Sequence, residues 1–350
     1  MAKLILLFLV WGSVICLSSG ISTENSINGL DLNNFSSGYD PFLLFQQWKN
    51  EYNRAYETLE EHDNRFQVFK TNVEYIIEMN SKRKSPHSYT LGLNKFADLK
   101  PEEFKNIYLN KMEMPKHHSK MKTVNHSCKN VPASLDWRRK GVVTPVKKQG
   151  RCHSCWAFAA TGAIEAINAI VTGNLVRLSE QALVDCDPFS NGCEGGWVDR
   201  AFEWVINNGG TYTEATYPYA KKNLHCQATK QGKKKAVTID GYVRVAPSED
   251  ALLCASIKQP VTVYLDSTDI LFYKEGIYDG AKCSNDPYHV DHAVLIVGYD
   301  SKDDQDYWII KNSWGEDWGE NGYIRIKRNI GIPNGLCAIN AWNYYPTKSH

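Results

Sequence analysis

The chain lacks an excess of charge of either sign. Its 40 Lys and Arg residues are balanced by 39 Asp and Glu residues, which leaves a formal net charge of +1 over 350 residues. A protein that binds nucleic acid through its overall field needs a strong positive balance, so this composition argues against that class of partner. No internal repeat is present. Hydrophobic residues make up 43% of the chain, which indicates a folded protein of about two domains.

The sequence also has no long hydrophobic run after its first twenty residues, so no membrane-spanning segment is predicted there. The early run, Leu4 to Leu17, follows Lys3 and precedes the small residues at 18–20. It is shorter than the roughly 20 residues needed to cross a bilayer, and its pattern is typical of a secretory signal over residues 1–20. We expect a secretory-pathway protein of the vacuole, lysosome or extracellular space, in which disulfides can form.

Hydrophobic periodicity separates a helical first part from a strand-rich last part. Residues 42–80 have the spacing of two amphipathic helices, and the polar residues 111–129 predict an exposed linker open to proteolysis. Helices are then predicted at 154–170, 178–184 and 198–206, and strands at 242–245, 261–265, 293–297, 307–310 and 323–326. This order favours an α+β protein with a helical domain at 131–240, a β-rich domain at 241–350 and a cleft between them.

No second closely spaced pair of cysteines accompanies Cys152 and Cys155. A zinc site would need such a pair or a histidine cluster, and Cys186 and Cys193 are too widely spaced to supply it. A thioredoxin-like redox pair would need a strand directly before the motif and a doubly wound sheet after it, and neither pattern is present. The remaining interpretation is one disulfide cysteine beside one nucleophile, with no metal and no cofactor.

A cysteine nucleophile needs a base, a group that orients the base and a donor to the oxyanion. His292, at the start of an apolar strand, and Asn312, twenty residues later, can supply the first two. Gln149, just upstream of Cys155, can supply the third. Cys155 is predicted at the N-terminus of the 154–170 helix, where free N–H groups and the helix dipole favour a thiolate.

With these residues the sequence resembles the papain family of cysteine endopeptidases. His292 follows Cys155 by 137 residues and Asn312 follows it by 157, close to the spacing of that family. The resemblance runs from about residue 42 to 346 and is nearest to plant members, legume seed proteases among them. It includes a pro-region carried by Glu61, Arg65, Phe69, Asn72, Ile76, Asn80, Gly92, Asn94, Phe96 and Asp98.

The resemblance implies a papain-like two-domain fold, preceded by a helical inhibitory pro-region over residues 21–130 that lies through the cleft. It implies an endopeptidase that acts through a thiolate–imidazolium pair of Cys155 and His292 and a thioester acyl-enzyme. Asn312 then orients the imidazole, Trp314 covers that hydrogen bond, and Gln149 donates to the oxyanion. The implied substrate-binding positions are Gly195, Gly196, Trp197, Val198, Tyr264, Val290, Asp291, Ala293, Trp314 and Trp342.

The same resemblance implies partners and a substrate preference. Polypeptide substrates, the chain's own pro-region and cystatin-type inhibitors are the implied partners of a monomer that binds no nucleic acid, membrane, metal or cofactor. Tyr264 and Trp342 stand where many members have smaller residues, so we expect the second substrate pocket to be shallow.

The resemblance also pairs the cysteines as Cys152–Cys193, Cys186–Cys226 and Cys283–Cys337, which leaves Cys155 free. We expect Cys254 to be a buried small hydrophobic residue and Cys128 to leave with the pro-region after a cut between Ser127 and Ser134. The two N-glycosylation motifs, at Asn34 and Asn125, lie before residue 131. The mature enzyme is therefore expected to carry no N-glycan.

Two positions depart from the family pattern: His153 and Ala338 stand where glycine is usual. His153 is expected either to be exposed with little effect or to narrow the first specificity subsite. A rival function is a weakly active or inactive storage, defence or binding protein on the same fold. The presence of Cys155, His292, Asn312 and Gln149 argues against it.

Overall fold

The computed structural model describes residues 40–83, 88–109, 122–228 and 234–349. The predicted signal sequence, Asn34 and part of the predicted linker lie outside these ranges. The described helices are α1 (Pro41–Glu51), α2 (Leu59–Ser81), α3 (Pro101–Tyr108), α4 (Cys155–Thr172), α5 (Glu180–Cys186), α6 (Val198–Asn207) and α7 (Glu249–Ser256). The strands are β1 (Thr90–Leu91), β2 (Thr123–Val124), β3 (Leu135–Asp136), β4 (Gly241–Val245), β5 (Val261–Leu265), β6 (Tyr273–Glu275), β7 (Ile277–Tyr278), β8 (His292–Lys302), β9 (Gln305–Lys311), β10 (Tyr323–Lys327) and β11 (Asn343–Thr347).

The pro-region helices begin at side chains that satisfy their first backbone N–H groups. The Asp40 carboxylate accepts from the N–H of Phe42 at 2.8 Å, and the Thr58 hydroxyl accepts from the N–H of Glu61 at 3.1 Å. The first helix also has a proline at its first position, where no N–H is needed. The two predicted helices are therefore present as α1 and α2, whereas α3 was not predicted.

The β-rich half is built on one sheet with the strand order β2-β4-β11-β5-β8-β9-β10-β7, and β3 also pairs with β8. Most neighbours are antiparallel, but β2–β4 and β7–β10 are parallel. Gly298 lies where β3 crosses β8, and a Cβ there would approach the Leu135 carbonyl oxygen to 2.2 Å. Strands from before residue 137 therefore complete the sheet of the last third of the chain.

A two-stranded sheet of β1 and β6 joins the pro-region to this half. Side chains of α1 and α2, such as Phe45, Trp48 and Phe69, belong to the same hydrophobic cluster as the β-sheet residues Val263, Ile296 and Ile310. The pro-region thus shares a core with the β-rich half. That shared core holds α3 against the cleft.

The helix α4 forms the centre of the helical half and packs on β8. Among the described residues it is the one helix long and apolar enough to cross a membrane, but 78% of it is buried inside the protein. That degree of burial is typical of a core helix. It ends at Gly173, whose φ of 74° is the left-handed conformation that closes a helix with little strain.

The structure contains the three disulfides named from the sequence, Cys152–Cys193, Cys186–Cys226 and Cys283–Cys337, and a fourth, Cys128–Cys254. The expectation that Cys254 is unpaired is therefore wrong, although the residue is buried as expected, and Cys128 is covalently joined to the β-rich half. The segment before Cys128 folds back onto the sheet as β2. This brings its Cα to 5.5 Å from that of Cys254 in α7, within the range of a disulfide.

Candidate active site

The candidate nucleophile is the first residue of the central helix α4. Cys155 is fully buried and is the free cysteine of the described residues. Burial raises the pKa of its thiol, whereas the backbone N–H groups of Ala293 and Trp156 act to lower that pKa and so favour a negative charge. The helix N-terminus adds to that preference. Ala293 directly follows His292, the candidate base, in strand β8.

The candidate base is the first residue of β8. His292 Nε2 and Asn312 Oδ1 are 2.8 Å apart, and the backbone N–H of Ser313 donates to the same Oδ1 at 2.7 Å. Because the Ser313 N–H can only donate, the Asn312 atom that it contacts is the amide oxygen. His292 Nε2 must therefore carry the proton in its hydrogen bond to the same oxygen. Within the described part of the chain, the buried Nδ1 has no hydrogen-bond partner. That nitrogen is left to exchange a proton with Cys155.

An aromatic side chain shields this pair from water. The Trp314 ring stacks on the His292 ring with centroids 4.7 Å apart and an interplanar angle of 26°. Trp314 is itself 2% exposed. The His292–Asn312 hydrogen bond therefore lies in a dry environment, where it holds the ring orientation firmly.

Gln149 is held in a hydrogen-bonding position by a residue that sequence reasoning did not single out. The Ser313 hydroxyl donates to Gln149 Oε1 at 2.6 Å, which aims Nε2 the opposite way. Nε2 donates to the Cys152 carbonyl at 3.1 Å and to the Tyr108 carbonyl at 3.0 Å. Tyr108 ends the pro-region helix α3, so a peptide carbonyl already lies against this donor. The only sequence signal for Ser313 was its position directly after Asn312.

Burial favours the uncharged forms of both reacting groups while the pro-region covers them. It raises the pKa of the Cys155 thiol to about 12 and, against the hydrogen bond that His292 donates to Asn312, lowers the pKa of His292 to about 4. Burial thus opposes the thiolate–imidazolium pair expected from the sequence.

The predicted pocket residues meet beside this centre. Gly196 packs so closely on Trp156 that a Cβ would lie 2.5 Å from the indole ring. Trp197 and Tyr264 have ring centroids 5.2 Å apart, and the Tyr264 hydroxyl accepts from the Val198 N–H at 2.6 Å. The other predicted walls, Val290, Ala293 and Trp342, belong to the same buried cluster.

Trp342, predicted at the far end of the second pocket, is buried rather than turned to solvent. Its indole N–H donates to the Pro287 carbonyl at 2.9 Å, and the Arg244 guanidinium lies 4.5 Å from its ring centroid. These contacts hold the ring in place. The Asp291 carboxylate instead accepts from the N–H and hydroxyl of Ser267, both at 2.8 Å. Ser267 thus fixes one oxygen of this buried carboxylate, whose charge acts on Cys155 and on Lys105 of the pro-region.

The pro-region crosses the cleft through contacts that sequence reasoning missed. His153 Nε2 is 3.0 Å from the Asn106 carbonyl oxygen, so this unusual residue touches the pro-region. Lys95 pairs with Asp317 at 2.9 Å and bonds the Trp314 carbonyl. The rings of Phe96 and Phe104 lie 6.0 and 5.1 Å from Trp314. In the described ranges, no cluster of three or more His, Cys, Asp and Glu residues could hold a metal.

Comparison with known proteins agrees with this geometry. Residues 131–347 match the papain family of cysteine proteases, and residues 45–104 match the cathepsin propeptide inhibitor domain. A probable thiol protease from Glycine max is 50% identical over 344 residues, which covers 95% of this chain and 90% of that protein.

Solved proenzymes have the same fold. The precursor of recombinant stem bromelain is 39% identical with a TM-score of 0.80, covering 89% of this chain and 99% of its own. The proform of a ragweed pollen cysteine protease is 37% identical with a TM-score of 0.78, covering 89% and 95%. The chain belongs to the papain family, and it is a cysteine endopeptidase made as a zymogen whose own pro-region is its inhibitor.

Proposed function

We propose that Cys155, His292, Asn312 and Gln149 perform peptide hydrolysis in this endopeptidase. The observation that supports this assignment is the 3.0 Å hydrogen bond that Gln149 Nε2 donates to the Tyr108 carbonyl of the pro-region, in a chain whose free described cysteine is Cys155. A substrate carbonyl placed there would be polarised by the same donor. The thiol would then attack its carbon.

The reaction proceeds in two halves. The Cys155 thiol gives its proton to His292 Nδ1, and the sulfur forms a bond to the carbonyl carbon. Negative charge collects on the oxygen near Gln149 Nε2 and the Cys155 N–H. His292 then gives the proton to the leaving amine as the C–N bond breaks, which leaves a thioester. Water, deprotonated by His292, attacks the thioester and releases the acid and the thiol.

An active-site probe distinguishes this function from its rivals. A peptide epoxide or vinyl sulfone added after removal of the pro-region should label Cys155 alone. A storage, defence or binding protein on this fold would not be labelled. A disulfide oxidoreductase would show both Cys152 and Cys155 as reactive after mild reduction. The pairing of Cys152 with Cys193 supports the protease.

Maturation is expected to depend on acid. Burial acts to raise the pKa of Asp317, but the ammonium groups of Lys95 and Lys148, at 2.9 and 3.2 Å, outweigh it and hold the pKa below its usual value. A carboxylate with a lowered pKa stabilises the docked state at neutral pH, and this contribution is lost as pH falls through that pKa. The proenzyme should therefore persist near pH 7 and lose this contact only as the pH falls to about 4 and below, at the low end of the pH 4–5 range in which carboxylates begin to protonate.

Variants at the same contact test this dependence. Asp317→Asn should move the onset of maturation to higher pH, as should Lys95→Met, when conversion is followed on gels across a pH series. Asp269 is the matched control. It accepts from the pro-region Tyr75 hydroxyl at 3.0 Å, but burial raises its pKa, so its protonation does not oppose docking. An unchanged onset in Asp317→Asn, or an equal shift in Asp269→Asn, would contradict the role of the Lys95–Asp317 pair.

The filled second pocket is expected to select small residues. We expect Val, Ala or Pro to be preferred over Phe, Tyr or Arg at the second position before the cut, because Tyr264 and Trp342 occupy the space that a large ring would need. A difference of one methylene group in the side chain that enters an apolar pocket changes specificity by about 10–200-fold. A positional peptide library on the mature enzyme measures the preference.

Truncating the far wall should reverse that preference. Trp342→Ala should shift the library towards Phe, whereas Trp137→Ala should not. Trp137 is equally buried, but it lies in a separate cluster and donates to the Ser256 carbonyl. A preference for Phe or Leu in the unmodified enzyme would show that the pocket is deeper than these contacts indicate.

The place of action and the partners follow from the same proposal. Acid-dependent release fits a vacuole or lysosome better than a neutral compartment. An open cleft lined by Gly195, Gly196 and Trp314 would admit cystatin-type inhibitors as well as substrates. We propose a monomer, because the catalytic groups named above all come from one chain.

A further inference from the structure

Residues 122–130 of the predicted linker are attached to the β-rich half; we call them the anchored segment. Within it, β2 pairs in parallel with β4, with Thr123 opposite Arg244 and Val124 opposite Val245. The Val124 carbonyl accepts from the N–H of Ala246 at 2.9 Å. The first attachment is therefore a strand added to the edge of the main sheet.

Two side-chain contacts continue the attachment towards the C-terminal end of the segment. His126 Nε2 and the Tyr345 hydroxyl are 2.9 Å apart, and their rings lie 5.6 Å from each other. Cys128 then forms the disulfide with Cys254, which is 5% exposed in α7. Backbone that is paired and covalently held in this way is a poor protease substrate, because cleavage requires the chain to leave its partners.

The disulfide also determines which cuts can free the pro-region. A cut after Cys128, in the exposed residues 129–134, leaves the whole pro-region covalently joined to Cys254. A tethered inhibitor keeps a high effective concentration at the cleft, so that cut does not release it. Only a cut before Cys128 separates the inhibitory helices from the enzyme, and the strand pairing moves that cut before Thr123.

We propose that the anchored segment is retained by the mature protease, which begins N-terminal to Thr123 and carries an N-glycan at Asn125. Asn125 directly follows β2 and is exposed. It is the acceptor residue of the N-glycosylation motif Asn125–His126–Ser127. Retention reverses two expectations from the sequence: the cut between Ser127 and Ser134, and a mature enzyme without a glycan. The proposal rests on zymogen processing but not on which residues perform catalysis.

The test uses the full proenzyme, secreted from a eukaryotic host and carrying Cys155→Ala. It is matured at acid pH by an added papain-family protease, so the result does not depend on this chain's own activity. N-terminal sequencing of the unreduced mature protein should give a single N-terminus upstream of Thr123, and trypsin digestion without reduction, followed by mass spectrometry, should yield peptide 123–129 joined to peptide 245–258. Reduction should separate them, and peptide-N-glycosidase should convert the glycosylated Asn125 to Asp.

Each other outcome of that digest contradicts the proposal. A free, alkylatable Cys254 would show that the tether is absent. A joined peptide that begins after Thr123, or a mature N-terminus at residue 131 or beyond with no remnant on Cys254, would show that the segment is cut. Peptide 123–129 without a glycan at Asn125 would refute the modification.

Two variants separate the tether from the glycan. Removing the disulfide with the double change Cys128→Ser and Cys254→Ser should move the mature N-terminus into residues 129–134 and remove the glycan from the mature chain. The matched control Asn125→Gln should keep the unmodified N-terminus and lose only the glycan mass. An unchanged N-terminus in the double variant would show that the disulfide does not direct the cut. Should that variant fail to fold, the linked-peptide map of the Cys155→Ala protein still decides the proposal.

Discussion

Cys155→Ala is expected to reduce peptide hydrolysis to less than about a thousandth of the unmodified rate, since a lost nucleophile typically costs more than that factor. The structure offers no substitute, because the other described cysteines are in disulfides. The measurement is kcat/KM on a fluorogenic peptide after an added protease has removed the pro-region at acid pH and has itself been separated from the variant. Residual turnover above that level would overturn the assignment of Cys155.

The same variant should leave the fold and its maturation by other molecules intact. Removing one buried sulfur changes little packing, so we expect its unfolding free energy to change by about 1 kcal/mol or less. The Cys155→Ala proenzyme should stay uncut when alone and be cut when mature unmodified enzyme is added. If it matured alone at the unmodified rate, a second protease in the preparation would have to be responsible.

Gln149→Ala is expected to lower kcat by about 10²–10³-fold with little change in KM, a loss of about 2.7–4 kcal/mol of transition-state stabilisation. Gln149 Nε2 faces the carbonyl position and strengthens its contact as charge develops on the oxygen. The pro-region should also dock less tightly in this variant, because it loses the hydrogen bond to the Tyr108 carbonyl. Initial-rate kinetics and the affinity of the isolated pro-region measure the two effects.

Ser313→Ala tests the same contact by a smaller change than Gln149→Ala. It removes the 2.6 Å hydrogen bond that orients Gln149 Oε1 but leaves the donor in place. We expect a smaller loss of kcat than in Gln149→Ala and no additional loss when both are combined, because the two residues act as one unit. A rise in KM with unchanged kcat would instead mean that Gln149 only binds the ground state.

Local patterns were sufficient to predict most elements and the residues of the candidate site. The strand Val261–Leu265 was predicted with its observed bounds, and the helix predicted at 154–170 is observed as Cys155–Thr172. Hydrophobic periodicity and helix-breaking residues are local features of a sequence, so they can be recognised without knowing the fold. Cys155, His292 and Asn312 each lie in a short sequence motif. These motifs can be recognised although they are far apart in the chain.

The features that were missed or predicted wrongly depend on contacts between distant parts of the chain. The Cys128–Cys254 disulfide joins residues separated by 126 positions, and β2 pairs with a strand 118 residues later. No local pattern indicates such a pairing, and the polar composition of residues 111–129 favoured a free linker. The contacts of Lys95 and Tyr108 with the cleft were missed for the same reason, since their partners lie on the mature part of the chain.

The family resemblance carried by the amino-acid sequence was enough to indicate the kind of chemistry. Local patterns were enough to indicate the longer helices and strands, but not short elements such as α3 and β2. The folded chain was needed to show that Ser313 orients Gln149, that Pro287 and Arg244 hold Trp342, and that the anchored segment belongs to the β-rich half. These features depend on which side chains meet after distant parts of the chain have packed together.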